Sequence, residues 1–336
     1  MRSLWTMGLL SAVSCSSWTA FSASTLTIDV TVHWEGRELL APNLDALERL
    51  RKAFPDIPVT HFVNPTYFLD ETKAAGNVLA MHKIFAAHDE VGLYLVPMEP
   101  LVKKAGVILK LEPTFWGYLD EGELCRDDCG LDVPLTVYTR EETLKLLAVA
   151  QRTLHAAGFT ALKSFTVRGW MGAPYITELA AAFGYRFEMT PVDPGLVTPK
   201  LGEFPISAWV QQSWSVLARA DAATVQKLST HHPTVRAVPQ RGGIVELNDP
   251  QEILARFDRQ VKEERTDEVF TLALSAESAF LSWPKLRAIL KSLQERAKKQ
   301  KVTLHFATVS GAKNSRPTAA NVSISTRLSQ HAEAAD

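Results

Sequence analysis

The stretch Thr25-Leu26-Thr27-Ile28-Asp29-Val30-Thr31-Val32-His33-Trp34-Glu35 decides the fold that this sequence predicts. Its Leu, Ile and Val residues are typical of a buried strand, which we place at 26–32. Asp29 lies among these apolar residues, and a buried carboxylate costs free energy unless a partner neutralises it or chemistry uses it. Two interpretations stay open: Asp29 caps a loop at the end of the strand, or it belongs to a functional site.

The rest of the chain predicts strands that alternate with amphipathic helices. Apolar residues recur at helical spacing over 44–54, and short apolar runs such as 57–63 and 90–96 follow. About eight such strands between helices predict a parallel β/α architecture. No Gly-x-Gly-x-x-Gly and no Gly-Lys-Ser/Thr loop is present, so a nucleotide-binding sheet lacks its phosphate contacts. We therefore predict an α/β barrel with its site at the C-terminal ends of the strands.

The overall composition argues against two classes of partner. Lys plus Arg number 36 and Asp plus Glu number 37, which gives a formal net charge of -1. This balance does not favour nucleic acid or an anionic membrane surface as the main partner. Hydrophobic residues at 46% and charged residues at 22% are typical of a globular domain with a sizeable core.

The two ends of the chain differ from its centre. Residues 1–22 combine Arg2, an apolar stretch and a run of small residues, which predicts a signal peptide and an exported, periplasmic or secreted protein. An ordinary buried N-terminal helix is the alternative, and Cys15 has a poor lipid-attachment context. The apolar stretch is too short for a comfortable membrane span, so the mature chain should have none. Residues 311–336 contain few large apolar side chains and are predicted to be a disordered tail.

Cys125 and Cys129 are the two cysteines that remain after the predicted leader. In an exported protein, such a pair is most simply a local disulfide that closes a loop. A zinc pair is less favoured, because no second Cys/His pair with zinc-ligand spacing lies nearby. Two free thiols are the alternative if the chain is not exported.

Several segments, in the order in which they occur, resemble the polysaccharide deacetylase (NodB-homology) family of carbohydrate esterases over residues 25–310. The stretch 27–35 is similar to the family's first motif, and Phe165-Thr166-Val167-Arg168-Gly169-Trp170-Met171 is similar to Phe-Arg-Ala-Gly-Gly-Trp. The remaining similar segments are 60–65, 90–97, 275–279 and 306–310. The resemblance implies a distorted (β/α) barrel of the NodB type with seven or eight parallel strands. It also implies carbohydrate, in particular cell-envelope glycan, as the partner.

Members of this family hold a divalent metal with one carboxylate and two His residues, and use a separate Asp as general base. The resemblance puts Asp29 at the base position. The positions of the two metal-binding His residues hold Tyr94 and Val96, and that of the metal carboxylate holds Val30 or Thr31. The position of the Arg that orients the base in the family holds Thr166 here. The position of the family's late, proton-donating His holds Ser275. We therefore expect no metal at the inherited positions.

A zinc site would need a rearranged set of ligands near Asp29. We place the candidates for such a set at His33, Glu35, His61 and Glu277.

Six residues are the candidate site that the sequence predicts. Asp29, as the base, together with His33 and Glu277 are the catalytic candidates, and Tyr94, Arg168 and Trp170 are the substrate-binding candidates. Each has a plainer alternative: the aromatic residues as core, His33 as a loop or core residue, and Glu277 as a helix-opening acid.

Three hypotheses about function follow. The first is an exported deacetylase-like protein that binds or acts on envelope glycan, with its metal-dependent catalysis lost or altered. The second is an active deacetylase that removes N- or O-acetyl groups with Asp29 as base and unusual metal ligands. The third is a structural or partner-binding barrel.

Overall fold

The computed structural model describes residues 25–115, 128–192, 196, 232–263, 265 and 268–312. The predicted signal peptide at 1–22, Cys125, and residues 313–336 of the tail predicted at 311–336 lie outside these ranges. The first two residues of that predicted tail are described, and Ala312 is buried and donates its N–H to the Thr308 carbonyl at 3.0 Å. The fold is therefore described from the first strand to Ala312, with these gaps.

Nine strands, all paired in parallel, form one sheet in the described part of the chain. Along the sheet they lie in the order β6-β5-β4-β3-β2-β1-β8-β7, and β9 pairs with the first half of β1. The strands are β1 (Thr25–Trp34), β2 (Val59–Val63), β3 (Glu90–Leu95), β4 (Ser164–Val167), β5 (Phe187–Glu188), β6 (Arg236–Ala237), β7 (Gly243–Ile244), β8 (Phe270–Ser275) and β9 (Thr303–Phe306).

Seven α-helices in the described ranges lie between these strands. Capping boxes begin α4 at Thr139 and α6 at Asp249, and Asp70 caps α2, which explains where these helices start. The helices are α1 (Ala41–Ala53), α2 (Glu71–His82), α3 (Glu99–Lys104), α4 (Arg140–Ala156), α5 (Pro174–Ala182), α6 (Pro250–Lys262) and α7 (Ala279–Gln300).

The parallel strand order with intervening helices confirms the predicted α/β class and the distorted (β/α) barrel. Strands β6 and β7 end the sheet on either side and do not pair with each other in the described part of the chain. The sheet thus curls without closing there. No helix within the described ranges has the length and apolar character that a membrane crossing requires.

Strand β1 runs through the centre of the sheet and has two different faces. Its even-numbered residues from Leu26 to Trp34 are fully buried in the apolar core that the helices cover. Its odd-numbered residues Thr27, Asp29, Thr31 and His33 are buried polar groups on the opposite face, inside the barrel. The predicted end of the strand at residue 32 is wrong, because β1 continues to Trp34 and includes His33.

Candidate functional site

Polar side chains from five separate segments meet at the C-terminal ends of the strands. Glu35 follows β1, Arg168 follows β4, and Glu277 follows β8, so the parallel sheet brings all three to one end of the barrel. His33, Tyr67 and Tyr94 complete this group. We call the six residues His33, Glu35, Tyr67, Tyr94, Arg168 and Glu277 the mouth cluster.

Arg168 links the ends of two strands through ion pairs. Its Nη1 atom lies 3.0 Å from Oε2 of Glu35, and its Nη2 atom lies 3.1 Å from Oδ1 of Asp132. The side chains of Arg168 and Glu35 are only 20% and 17% exposed. Burial disfavours the charged form of Arg168, but the nearby Glu35, Tyr94 and Asp132 favour it more strongly. The pKa of the guanidinium is therefore raised. Arg168 therefore stays charged and holds the Glu35 carboxylate.

Glu277 has a different environment from Glu35. Its Oε1 atom accepts hydrogen bonds from the backbone N–H of Glu35, at 2.9 Å, and from the Tyr67 hydroxyl, and its Oε2 accepts from Oγ of Ser275 at 3.2 Å. Burial, followed by the negative charge of Glu35, raises the pKa of Glu277 to about 7, although the Tyr67 hydrogen bond lowers it. Two neighbouring carboxyl groups thus have different partners: Glu35 pairs with a guanidinium, and Glu277 accepts from uncharged donors.

His33 lies in β1, below the ion pairs, and is buried between aromatic side chains. Its ring meets the edges of Phe62 and Tyr94, at centroid distances of 5.4 and 5.2 Å. Its Nε2 atom is 3.3 Å from Oγ1 of Thr31. Burial, together with the charge of Arg168, lowers the pKa of His33 to about 4. His33 is therefore a neutral imidazole at physiological pH.

Trp170 has an unusual backbone conformation at the rim of the mouth cluster. Gly169 and Trp170 have φ angles of 68° and 57°, so two consecutive residues adopt the left-handed region directly after Arg168. The Phe115 ring lies 2.2 Å from where a Cβ of Gly169 would stand, which requires glycine there. A bulky residue in this region costs about 1–3 kcal/mol, and such strain concentrates at functional sites. Trp170 is half-buried, and its Nε1 donates to Oε1 of Gln240 at 3.0 Å.

Asp29 lies far below the mouth cluster. It is fully buried in the middle of β1 and accepts a hydrogen bond from Thr60 Oγ1 at 3.4 Å, and among the described residues its Oδ2 atom has no hydrogen-bond partner. Four residues at about 3.3 Å per residue separate it from His33, which amounts to about 13 Å along the strand. Burial and the charge of Glu90 raise the pKa of Asp29 well above its usual range. The expectation that Asp29 lies at the mouth is therefore wrong, while its role as a base stays a prediction.

The ligands suggested for a rearranged metal site do not converge on Asp29. His61 points to the helix side of the sheet, where its Nδ1 accepts from Trp34 Nε1 at 3.2 Å and its Nε2 lies 3.2 Å from Asp89. Glu35 and Glu277 contact each other at the mouth instead. This part of the expectation is wrong because neighbouring residues on a strand face opposite sides of the sheet.

Tyr94 and Val96, at the positions where the resembling family has its two metal-binding His residues, do not fit a metal with three protein ligands. Val96 is fully buried and apolar, and Tyr94 is buried against His33 and Arg168. The described residues contain no group of three or more His, Cys, Asp or Glu side chains placed to bind a metal ion. A protein zinc site uses three or four such ligands. The prediction that no cofactor is needed stays a prediction.

Cys129 is disulfide-bonded. Its predicted partner Cys125 lies outside the described residues, so the pairing of the two stays a prediction. The backbone carbonyl of Cys129 accepts a hydrogen bond from Glu99 N at 2.8 Å, which joins this loop to the start of α3.

Two contributors to the site were missed by the sequence analysis. Tyr67 lies in a short 3-10 turn after β2, and Asp132 lies in the long segment between α3 and α4. Neither position follows a strand end directly, and no periodic pattern marks either of them. Glu35 was predicted only as a metal ligand. It is, however, the next odd-numbered residue after the polar residues at odd positions of β1, so this alternation already indicates that it lies at the end of the polar face.

Comparison with known proteins finds likenesses in structure alone. No family model matches the chain, and no curated protein matches it. A Mycobacterium smegmatis protein assigned as a polysaccharide deacetylase is similar at 11% identity and a TM-score of 0.46, over 92% of this chain and 97% of that chain.

Two further solved structures are similar over most of this chain. A family 4 carbohydrate esterase from Streptomyces lividans gives 9% identity, a TM-score of 0.38, and coverage of 88% of this chain and 100% of that chain. A CE4 family pseudoenzyme from Bacillus anthracis gives 10% identity, a TM-score of 0.40, and coverage of 84% and 70%. At TM-scores below 0.5 we draw no conclusion about activity or ligand from these likenesses. The strand order and the mouth cluster define this chain as a parallel (β/α) barrel protein with a polar site at its C-terminal end.

Proposed function

We propose that the chain is an exported, polysaccharide-deacetylase-like protein that binds envelope glycan at the mouth cluster and has lost or altered the family's metal-dependent chemistry. The observation that carries the proposal is Trp170, which is held in the left-handed region next to the Arg168–Glu35 ion pair. A fold keeps such a strained aromatic residue where its position is needed.

The chemistry of the mouth cluster suits a sugar ligand. The apolar face of a pyranose ring packs on an aromatic side chain, and its hydroxyls need polar partners that are already oriented. Trp170 supplies the aromatic ring, and Glu35, Arg168 and Glu277 supply oriented acceptors and donors that are only partly exposed. Arg168 is neutralised by Glu35 and Asp132, so the site favours a neutral glycan over a strongly anionic one.

Two features support the altered chemistry and the export. Tyr94 and Val96 occupy the positions where the resembling family has its metal-binding His residues, which removes the nitrogen ligands of that chemistry. Disulfides persist in oxidising compartments such as the periplasm, and Cys129 is disulfide-bonded. N-terminal sequencing of the protein from a cell-envelope fraction tests the export directly, with a start near residue 23 as the expected result.

Glycan binding is tested with purified protein, insoluble peptidoglycan and chitooligosaccharides. We expect wild type to bind at least one of these, and Trp170→Ala to weaken binding at least about 10-fold, because each stacked ring contributes about 1 kcal/mol or more. Trp283→Ala is the matched control: Trp283 is also half-buried, but it packs on Phe54, which directly follows α1, at a ring distance of 6.3 Å. Equal loss in both variants, or no binding by wild type, would overturn the proposal in favour of a structural barrel.

A second measurement separates altered chemistry from an active deacetylase. Metal content and acetate release are measured on the same preparation with acetylated chitooligosaccharides. We expect no acetate release that depends on Asp29. Stoichiometric zinc together with acetate release, both lost in Asp29→Asn, would overturn the proposal that the metal-dependent chemistry is lost.

A further inference from the structure

The two carboxyl groups of the mouth cluster are adjacent but are held in different ways. The Glu277 carboxyl group accepts the backbone N–H of Glu35, so it lies 2.9 Å from that residue. Glu35 extends its own carboxylate to Arg168, whereas Glu277 faces Tyr67 and Ser275, which carry no positive charge. One carboxyl group is therefore paired with a cation, and the other is buried among neutral groups.

Such a difference assigns opposite proton-transfer roles to the two groups. Pairs of titratable groups whose surroundings separate their protonation states mark acid and base positions. Glu277, with its pKa raised to about 7, still carries a proton near neutral pH. Glu35 is the candidate for the opposite role, because its Oε2 atom is paired with the Arg168 guanidinium at 3.0 Å.

A second feature of the same end of the barrel points to a polar ligand. Gln240 is fully buried, and its Nε2 atom has no hydrogen-bond partner within the part of the chain that the structure describes. Its Oε1 atom is held by the indole of Trp170 at 3.0 Å, which places the amide beside the strained tryptophan. A buried donor without a partner is unfavourable, so a ligand acceptor at this place would recover part of the lost free energy.

We propose that Glu277 and Glu35 are the general acid and the general base for hydrolysis of a glycosidic bond in glycan bound at the mouth cluster. This inference rests on the proposed function, because it needs glycan at that site. Cleavage of an acetal requires two carboxyl groups in these roles, whereas acyl transfer also requires groups that stabilise an oxyanion. The pair therefore favours a glycosidic bond over an acetyl group as the reacting bond.

The proposed step balances with water as the only co-reactant. The proton of Glu277 moves to the glycosidic oxygen as the bond from that oxygen to the anomeric carbon breaks. Glu35 takes a proton from a water molecule, whose oxygen forms the new bond to the anomeric carbon. The products are two sugar chains with free hydroxyl ends, and exchange with solvent returns the proton from Glu35 to Glu277.

The test measures cleavage and binding separately on the purified protein. Reducing ends released from peptidoglycan and from chitooligosaccharides report cleavage, and co-sedimentation or calorimetry reports binding. We expect Glu277→Gln and Glu35→Gln to lower kcat about 100-fold or more at saturating glycan, a loss larger than any weakening of glycan binding, because general acid and base catalysis contributes factors of this size. Glutamine at 277 keeps an acceptor for Tyr67 and for the Glu35 backbone, so the variant should fold.

Glu188→Gln is the matched control. Glu188 is a buried carboxyl group whose pKa is also raised to about 7 by burial, but its hydrogen bonds go to Thr177 of α5 and to Thr190. Its replacement should leave both cleavage and binding close to wild type. Wild-type cleavage should fall as the pH rises through about 7, where Glu277 loses its proton.

The outcomes distinguish this inference from the proposed function. Wild type that binds glycan but releases no reducing ends overturns the acid–base pair and leaves glycan binding intact. The same holds if Glu277→Gln or Glu35→Gln cleaves as fast as wild type. Wild type that binds no glycan overturns both proposals together.

Discussion

The Arg168 guanidinium lies 3.0 Å from the Glu35 carboxylate and joins the C-terminal ends of β4 and β1 across the mouth of the barrel. These strands are not neighbours, since β2 and β3 lie between them. Both side chains are mostly buried, and Asp132 provides a second acidic contact for the same guanidinium. The ion pair therefore closes one end of the site and connects distant parts of the sheet.

Arg168→Met should destabilise the protein by about 2–4 kcal/mol, because it leaves two partly buried carboxylates without their cation. Urea unfolding checks this value, and a double-mutant cycle with Glu35→Gln should show coupling of about 1 kcal/mol or more. Arg140→Met is the control. Its ion pair with Glu178 is short, at 2.6 Å, but both side chains are about half exposed, so the loss should be below about 1 kcal/mol. Equal losses for Arg168 and Arg140 would contradict this prediction.

The pKa of Glu277 should move in opposite directions in two variants. Tyr67→Phe removes a hydrogen bond that lowers the pKa, so the pKa should rise above about 7. Glu35→Gln removes a negative charge that raises the pKa, so the pKa should fall. Titration of the carboxyl carbons by NMR measures both changes. A shift of the same sign in both variants would show that general loosening of the site, rather than these two contacts, sets the pKa.

The sequence predicted the parallel architecture well, because the central strands have dense apolar runs and several helices start at a clear cap. It predicted the end of β1 less well. Polar residues occupy every odd position from Thr25 to Glu35, and apolar residues occupy every even position from Leu26 to Trp34. This alternation indicates one strand with a polar face inside the barrel, and it places Asp29 in the middle. An apolar run that stops at Val32 shortens the predicted strand and brings its end closer to Asp29 than the structure does.

The composition of the site was harder to predict for a physical reason. Arg168 and Glu277 follow strand ends directly, so the alternation of strands and helices predicts where they lie. Tyr67 and Asp132 reach the mouth from irregular segments, whose paths depend on tertiary packing. The protonation of Glu277 depends on burial and on Glu35, which is 242 residues away in the chain. A local pattern contains no signal for such a contact.

His61 should remain neutral, with its proton on Nε2, because Trp34 donates to Nδ1 and Asp89 accepts at Nε2. Burial is the main cause that lowers the pKa of His61, and the charge of Arg51 lowers it further. Arg51→Met should therefore raise this pKa and destabilise the protein by about 2–4 kcal/mol, since Asp89 is almost fully buried. Nitrogen NMR of the imidazole and urea unfolding measure the two effects.

The control for this network is Arg49→Met on the same helix. Arg49 is exposed and bonds only to the backbone carbonyl of Asp45, at 3.2 Å. Its replacement should change neither the His61 pKa nor the free energy of unfolding by a measurable amount. A doubly protonated His61 at pH 7 in wild type would contradict the assigned tautomer.

Asp29→Asn should stabilise the protein at neutral pH and lose that advantage in acid. Burial, and then the charge of Glu90, raise the folded-state pKa of Asp29 above the unfolded value of about 4. A raised folded pKa means that the favourable contribution is complete below about pH 4 and is lost as the pH rises toward the folded pKa. The difference in the free energy of unfolding between Asp29→Asn and wild type should therefore grow by at most about 1.4 kcal/mol per pH unit above pH 4.

Asp70→Asn should destabilise the protein at neutral pH and lose that effect in acid, because the Thr72 hydroxyl and N–H lower the pKa of the Asp70 capping carboxylate. Urea unfolding from pH 4 to 7 measures the Asp29 series, and unfolding below about pH 4 measures the Asp70 series, where the contribution of a lowered folded pKa is lost. Parallel curves for Asp29→Asn and wild type from pH 4 to 7 would show that Asp29 titrates as an ordinary exposed acid.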